Sequence, residues 1–144
     1  MKVQLIQHNS EEYQTMIALR LQVLLDPISV PVSFINQPKE KDDFLIAAFE
    51  ADEMIGCCVL TPFDGDLVQL RQMAVLDDYQ GKGVGKEIID FGERLALEKG
   101  FKKLRMHARG VAVPFYKKND YVIVGNPFTE VGILDYKMEK ELAK

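Results

Sequence analysis

The stretch Val75-Leu76-Asp77-Asp78-Tyr79-Gln80-Gly81-Lys82-Gly83-Val84-Gly85 is the centre of the segment 67–100, which decides the fold. An apolar run precedes it, and an apolar stripe at helical spacing follows it (Val84, Ile88, Phe91 and Leu95). A strand that runs through a glycine-rich turn into a helix exposes backbone N–H groups that suit phosphate oxygens. Two lysines, Lys82 and Lys86, add positive charge there. The stretch predicts a phosphate-binding loop, or alternatively a tight strand-to-helix turn without a ligand.

The glycine spacing excludes two common nucleotide-binding motifs. Lys86 follows Gly85, but not in the frame of the Gly-Lys-Ser/Thr ending of a Walker loop. A Rossmann fingerprint requires a glycine three residues after Gly83, and Lys86 stands at that position. The three alternate glycines still direct successive N–H groups to one point, which favours a pyrophosphate over a single carboxylate.

Bulk properties predict one soluble domain over residues 1–144. The net charge of −4 argues against a nucleic-acid partner and is compatible with a cationic substrate. No apolar run approaches a membrane span, and the first residues lack the apolar core of a signal peptide. The adjacent Cys57 and Cys58 suit a reduced, buried pair on a strand, which predicts a cytoplasmic protein. No His/Cys/Asp cluster has metal-ligand spacing.

Periodicity and turn signals predict three helices and seven strands. The helices are 11–25, the helix that follows the glycine loop and ends before Gly100, and 111–119. Asn9 and Ser10 are both candidate N-caps of the first helix, and Glu12 lies three residues after Asn9, as in a capping box. The strands are 2–7, 44–50, 54–61, 67–76, 102–108, 121–124 and 133–138, with a loop at 125–132. Short links make 44–76 an antiparallel meander, whereas the intervening helix makes 67–76 and 103–108 parallel.

Two separated motifs resemble those of the GCN5-related N-acetyltransferases, the GNAT superfamily. The segment 80–85 resembles the Gln/Arg-x-x-Gly-x-Gly/Ala motif, and 112–121 resembles the A-x-x-F-Y-x-K-x-G-F segment. In the second motif Asp120 replaces the glycine and Tyr121 the phenylalanine. The resemblance covers nearly the whole chain and implies a small bacterial-type member with an α+β fold. That fold has a central mixed sheet of six to seven strands and helices on both faces.

The resemblance implies an acetyl-CoA-dependent N-acetyltransferase in which a primary amine attacks the thioester directly. Carried over, the coenzyme A contacts are Met73, Ala74, Val75, Gln80, Gly81, Lys82, Gly83, Val84, Gly85, Lys86 and Tyr116. The loop holds the pyrophosphate and the backbone of Met73 and Val75 pairs with pantetheine, where strands four and five splay. An N–H near Ala74 or Val75 polarises the thioester carbonyl. Tyr116 is the expected general acid; alternatively it is a core aromatic whose hydroxyl only bonds the sulfur.

The acceptor site and the general base are less well defined. The central strand offers Gln69, Arg71 and Gln72, none of which is a base at neutral pH. The other candidate bases are His107, Glu130 and Asp135. The segment 130–135 resembles the E-x-G-I-P-H segment of some small bacterial acetyltransferases, with Leu134 replacing proline and Asp135 replacing histidine.

Four residues are the expected acceptor contacts: Arg20, Arg71, His107 and Glu130. The alternatives are a surface or interstrand ion pair for Arg20, a structural role for His107 and a solvated carboxylate for Glu130. The acceptor is a small-molecule amine or a protein amine, and the apolar late loop permits a homodimer. The alternative functions are a non-catalytic acyl-CoA-binding or regulatory module and a nucleotide-binding protein of another fold.

Overall fold

The computed structural model of the protein describes residues 1–142. The helices are α1 (Glu11–Arg20), α2 (Val84–Glu98) and α3 (Val113–Lys118). The strands are β1 (Lys2–Ile6), β2 (Phe44–Glu50), β3 (Glu53–Pro62), β4 (Leu67–Val75), β5 (Lys103–Arg109), β6 (Val122–Ile123), β7 (Phe128–Glu130) and β8 (Ile133–Glu141). They form one sheet in the order β1-β2-β3-β4-β5-β8-β6, with β7 paired to β8. This mixed sheet confirms the predicted fold class, but within residues 1–142 it has eight strands rather than six or seven.

The chain divides into two compact units, one of residues 1–61 and 72–92 and the other of residues 62–71 and 93 onward. In the first unit β2 pairs antiparallel with both β1 and β3, as the meander predicts for β2 and β3. The core of this unit brings α1 residues together with alternate strand residues. Its members include Tyr13, Met16, Leu45, Ala47, Cys57 and Val59.

Helix α1 begins one residue later than a cap at Asn9 would place it. Ser10 is the N-cap, and its Oγ accepts a hydrogen bond from the backbone N–H of Tyr13 at 3.1 Å. Of the two predicted N-cap residues, Ser10 is therefore confirmed, and the capping box from Asn9 to Glu12 is wrong. The α-helical bonding ends at Arg20 and continues as a π-helical turn, Leu21–Leu25, because the N–H of Asp26 bonds the carbonyl of Leu21. From there to residue 42 the chain forms only short 3₁₀ turns, the last of them Lys39–Asp42.

The second unit contains the predicted parallel pair. Residues Leu67–Leu70 of β4 pair in parallel with Lys103–Met106 of β5. Strand β5 buries Leu104, Met106 and Ala108 on one face, as its alternating sequence predicts, and pairs antiparallel with β8 on its other edge. Helix α3 tolerates Pro114 in its first turn, where no helical N–H bond is lost.

The segment 125–132, predicted as a loop, contains strand β7. β7 and β8 form an antiparallel hairpin in which Glu130 pairs with Ile133. Its two turn residues, Val131 and Gly132, have φ values of 52° and 73°. Two consecutive positive φ angles are the conformation that matches the twist of a two-residue hairpin. This hairpin places Glu130 and Asp135 on neighbouring strands.

Candidate functional site

The glycine loop of the first unit has an open backbone. Gly81 and Gly83 have φ values of 75° and 85°, and a Cβ atom added to either would meet no other atom within 4 Å. At the start of α2, the N–H of Glu87 donates to the carbonyl of Gly83 at 3.1 Å. The N–H groups of the first turn, from Val84 onward, have no acceptor within the helix. The loop therefore presents N–H donors without a side chain over them, as pyrophosphate binding requires.

The Gln80 side chain attaches this loop to the end of β4. Its Nε2 donates to the carbonyl of Val75 at 3.0 Å and to Oδ1 of Asp77 at 3.3 Å. The side-chain amide nitrogen therefore stabilises the loop itself, and the contact of Gln80 with coenzyme A stays a prediction. Because one bond reaches back to the strand, the position of the loop is coupled to the position of Val75.

The two lysines of the loop and helix start are exposed, and each contacts another side chain of the protein. The Lys82 ammonium lies 5.7 Å from the centre of the Tyr79 ring. The Lys86 ammonium pairs with Asp90 one helical turn later, at 3.0 Å, and its side chain is 63% exposed. Surface pairs of this kind contribute little to stability. Both cations therefore remain available at the helix start for an anionic ligand.

The end of β4 directs alternate peptide groups to opposite sides. The N–H of Leu76 donates to the carbonyl of Ile55 in β3 at 2.9 Å. Because successive peptide groups alternate along a strand, those of Met73 and Val75 face away from β3. The bond from Gln80 to the Val75 carbonyl agrees with this direction. Ala74, in contrast, has a backbone hydrogen bond with the Cys57 thiol. Met73 and Val75 are therefore the residues whose backbone can pair with an extended ligand.

Gly56 is a residue that sequence reasoning missed. A Cβ atom there would lie 2.8 Å from Cδ1 of Ile88, 3.1 Å from Cγ1 of Val84 and 3.1 Å from the carbonyl oxygen of Ala74. The glycine thus lets the first turns of α2 approach β3 and the end of β4. No signal in the sequence marks this contact, because it joins residues distant along the chain.

The adjacent cysteines are buried and free, as predicted. Burial raises the pKa of the Cys57 thiol to about 12, and burial raises the pKa of Cys58 well above its ordinary value. A thiol of such high pKa is protonated at neutral pH and is a poor nucleophile. These cysteines therefore do not provide a covalent route for acyl transfer.

Tyr116 lies in the second unit, on α3. Its side chain is 5% exposed, and its ring packs edge-to-face with the rings of Phe115 and Tyr121 at 5.1 and 5.9 Å. The hydroxyl of Tyr121 donates to Glu93 at 2.8 Å. Tyr116 is thus held firmly by aromatic neighbours, which suits a positioned acid as well as a core residue. Its role as general acid stays a prediction.

His107, Glu130 and Asp135 come together in the second unit. Nδ1 of His107 lies 3.5 Å from Oε2 of Glu130, and the imidazole packs edge-on against Phe128 at 4.9 Å. Asp135 is 5% exposed, and its Oδ1 is buried without a hydrogen-bond partner. Burial, and then the nearby charge of Glu130, raise the pKa of Asp135. This cluster joins two predicted acceptor contacts with a carboxyl group that is easily protonated.

The two predicted arginine contacts lie in different surroundings. Arg20 forms an ion pair, with Glu40 at 2.7 Å, but the pair is fully buried and joins a helix end to a turn rather than lying at the surface or between strands. Its burial leaves no exposed surface for an acceptor, and substrate contact by Arg20 stays a prediction. Arg71 is half-buried in the second unit. On the same strand, Oε1 of Gln69 accepts a hydrogen bond from Arg105 at 3.2 Å.

Residues 1–142 contain no group of three or more His, Cys, Asp or Glu side chains that could hold a metal ion. Over the same residues, the helices are all too short or too polar to cross a membrane.

Comparisons with known proteins converge on one family. Residues 7–142 match the model of the acetyltransferase (GNAT) domain. The uncharacterised N-acetyltransferase YjcF of Bacillus subtilis is 27% identical over 137 residues, which cover 94% of this chain and 97% of YjcF. The uncharacterised protein YyaT of the same organism is 32% identical over 80 residues, covering 56% of this chain but only 54% of YyaT. A crystal structure of aminoglycoside 6'-N-acetyltransferase complexed with coenzyme A superposes with a TM-score of 0.85. It is 16% identical, and the match covers 100% of this chain and 98% of that one.

Proposed function

Because the chain belongs to the GNAT family of acetyltransferases, we propose that it transfers an acetyl group from acetyl-CoA to a primary amine. The observation that carries the proposal is the open glycine loop at the start of α2. Its left-handed glycines and the N–H groups of the first helical turn, which have no acceptor within the helix, fit a pyrophosphate, and two lysines belong to the loop and helix start. Acetyl-CoA supplies the activated thioester and a leaving group.

The loop residues Gln80 to Lys86 are the proposed pyrophosphate contacts, mainly through backbone N–H groups. The backbone of Met73 and Val75 is the proposed partner of the pantetheine amides, since both residues face away from β3. Because Ala74 is engaged by the Cys57 thiol, the N–H of Val75 is the better placed donor to the thioester carbonyl. A donor at that position stabilises the negative charge that develops on the carbonyl oxygen during attack.

Two proton transfers accompany acetyl transfer. The ammonium of the acceptor loses a proton before or during attack, and the departing thiolate gains one. We assign the second transfer to the phenol of Tyr116, which its aromatic neighbours hold in one orientation. For the first, His107 and the carboxyl groups of Glu130 and Asp135 are the candidate bases.

We assign recognition of the acceptor to the second unit, around His107 and Glu130. Glu130 is exposed, so its carboxylate can meet a cationic amine from solvent, and the ring of Phe128 lies against His107. The net charge of −4 agrees with a cationic acceptor. The class of amine stays open between small molecules and protein lysines or N-termini.

An acetyl-CoA-dependent screen over small amines, polyamines, aminoglycosides, amino acids and peptides tests the proposal, with mass spectrometry of the products. We expect at least one amine to gain an acetyl group in proportion to enzyme. Tyr116→Phe tests the acid, and Tyr121→Phe is its matched control, because it also removes a hydroxyl from the same aromatic cluster. Binding of coenzyme A without modification of any amine would instead support the acyl-CoA-binding module.

A further inference from the structure

The function proposed above assigns no role to a fully buried ion pair in the first unit. Arg20, the last residue of α1, is 0% exposed, and Glu40, in the turn Lys39–Asp42, is 1% exposed. Two hydrogen bonds join them: Nη1 to Oε1 at 2.8 Å and Nη2 to Oε2 at 2.7 Å. The pair thus joins the end of α1 to the segment of short 3₁₀ turns that precedes β2.

Such a pair is not explained by stability alone. Removing two charges from water is unfavourable, and apolar residues of similar volume often serve folding as well or better. Here the remaining polar atoms have partners. The hydroxyl of Tyr13 donates to Oε1 of Glu40 at 2.7 Å, and Nε of Arg20 donates to Oε1 of Gln72 at 3.2 Å. The second bond connects the pair to strand β4.

Gln72 has an unusual backbone for a strand residue. Its φ is +55°, although it lies inside β4 (Leu67–Val75) and carries a side chain. A left-handed L-residue is disfavoured by roughly five- to thirty-fold relative to ordinary conformations. Such a residue persists where its surroundings determine it. Two contacts fix the conformation of Gln72. Arg20 donates a hydrogen bond to its side chain, and the Cys57 thiol lies 3.9 Å from its carbonyl oxygen.

The conformation of Gln72 sets the direction of the peptide groups that follow it. Met73 and Val75 are the next residues on the strand that face away from β3. We propose that Arg20 and Glu40 are positioning residues that hold Gln72 in its left-handed conformation and so aim the backbone of Met73 and Val75 at the pantetheine arm. The last step of this proposal rests on the proposed function; the hold on Gln72 does not.

A pair of substitutions at one position separates conformation from side-chain chemistry. Gln72→Ala and Gln72→Gly both remove the hydrogen bond to Arg20, but only glycine adopts a positive φ freely. We expect Gln72→Ala to weaken coenzyme A binding about tenfold, as measured by calorimetry, and Gln72→Gly to stay within about threefold of the unchanged protein. Amide hydrogen exchange of residues 73–75 in the ligand-free protein should rise in Gln72→Ala and much less in Gln72→Gly.

A rescue experiment tests the ion pair itself. The double variant Arg20→Met/Glu40→Gln removes both charges together and leaves Tyr13 an acceptor, so that no unpaired buried charge remains. We expect it to lose coenzyme A affinity about tenfold, comparably to Gln72→Ala. Adding Gln72→Gly to this double variant should recover most of the lost coenzyme A affinity.

Each outcome decides a separate point. Equal loss of coenzyme A affinity in Gln72→Ala and Gln72→Gly would overturn the proposal, because the side chain itself would then contact the ligand. Unchanged affinity in all variants, even with a lowered melting temperature, would reduce the pair to a structural element. If the unchanged protein binds no coenzyme A, the proposed function fails. The exchange difference between the two Gln72 variants then still decides whether the residue's conformation is held.

Discussion

Replacing Gly83 by alanine adds one Cβ atom at a backbone φ of +85°. No atom lies within 4 Å of that Cβ, so the cost comes from conformation rather than from a clash. A left-handed L-residue costs roughly 1–2 kcal/mol. For a chain of this size we expect a decrease in melting temperature of about 2–8 °C. The methyl group also enters the open space beside the loop, where we place the pyrophosphate.

Gly100 provides the matched control for this substitution. Its φ is +90°, and an added Cβ would again meet nothing within 4 Å. Gly100→Ala should therefore lower the melting temperature by a similar amount, while coenzyme A affinity measured by calorimetry stays unchanged. Gly83→Ala should weaken that affinity at least about tenfold, or 1.4 kcal/mol. Equal affinities in the two variants would refute the placement of the pyrophosphate.

Three further substitutions test other parts of the site. Tyr116→Phe should reduce kcat by about 10²-fold or more with little change in coenzyme A affinity, since a general acid contributes at least that much; a decrease no larger than that of Tyr121→Phe would remove its catalytic role. Gly56→Val should destabilise the protein by about 1–3 kcal/mol in chemical denaturation, because the added atoms overpack the contact with α2; unchanged stability would mean that the helix is not packed as described. Asp135→Asn tests the raised pKa of a buried carboxyl group. Because the folded state favours the protonated form, the stability that Asp135 contributes is present below its ordinary pKa and is lost as pH rises through the raised value. The melting temperature of Asp135→Asn, relative to that of the unchanged protein, should therefore rise as the pH is raised from acidic to neutral. A constant difference between the two melting temperatures over this pH range would contradict this.

Features encoded locally were predictable from the sequence. The glycine loop, the helix that follows it and Gly100 beyond its end depend on residues close together in the chain. The burial of alternate residues in β5 likewise follows from its own pattern. Parallel pairing of β4 with β5 follows from the helix between them. These are the parts of the fold that place the proposed coenzyme A contacts.

Features that depend on distant partners were not predictable. The buried ion pair of Arg20 was not predictable, because its partner Glu40 lies 20 residues away in a segment without periodicity. Strand β7 was missed because its turn begins with Val131 at φ 52°, and valine is not a residue that signals a left-handed conformation. Gly56 resembles any strand glycine until Ile88 and Val84 are packed against it.

The most direct test of the central claim is a calorimetric titration of the unchanged protein with coenzyme A, followed by competition with ATP and NAD. We expect one coenzyme A to bind per chain, and neither nucleotide to displace it at equal concentration. Absence of binding, or displacement by ATP or NAD at equal affinity, would contradict the assignment of the glycine loop to coenzyme A.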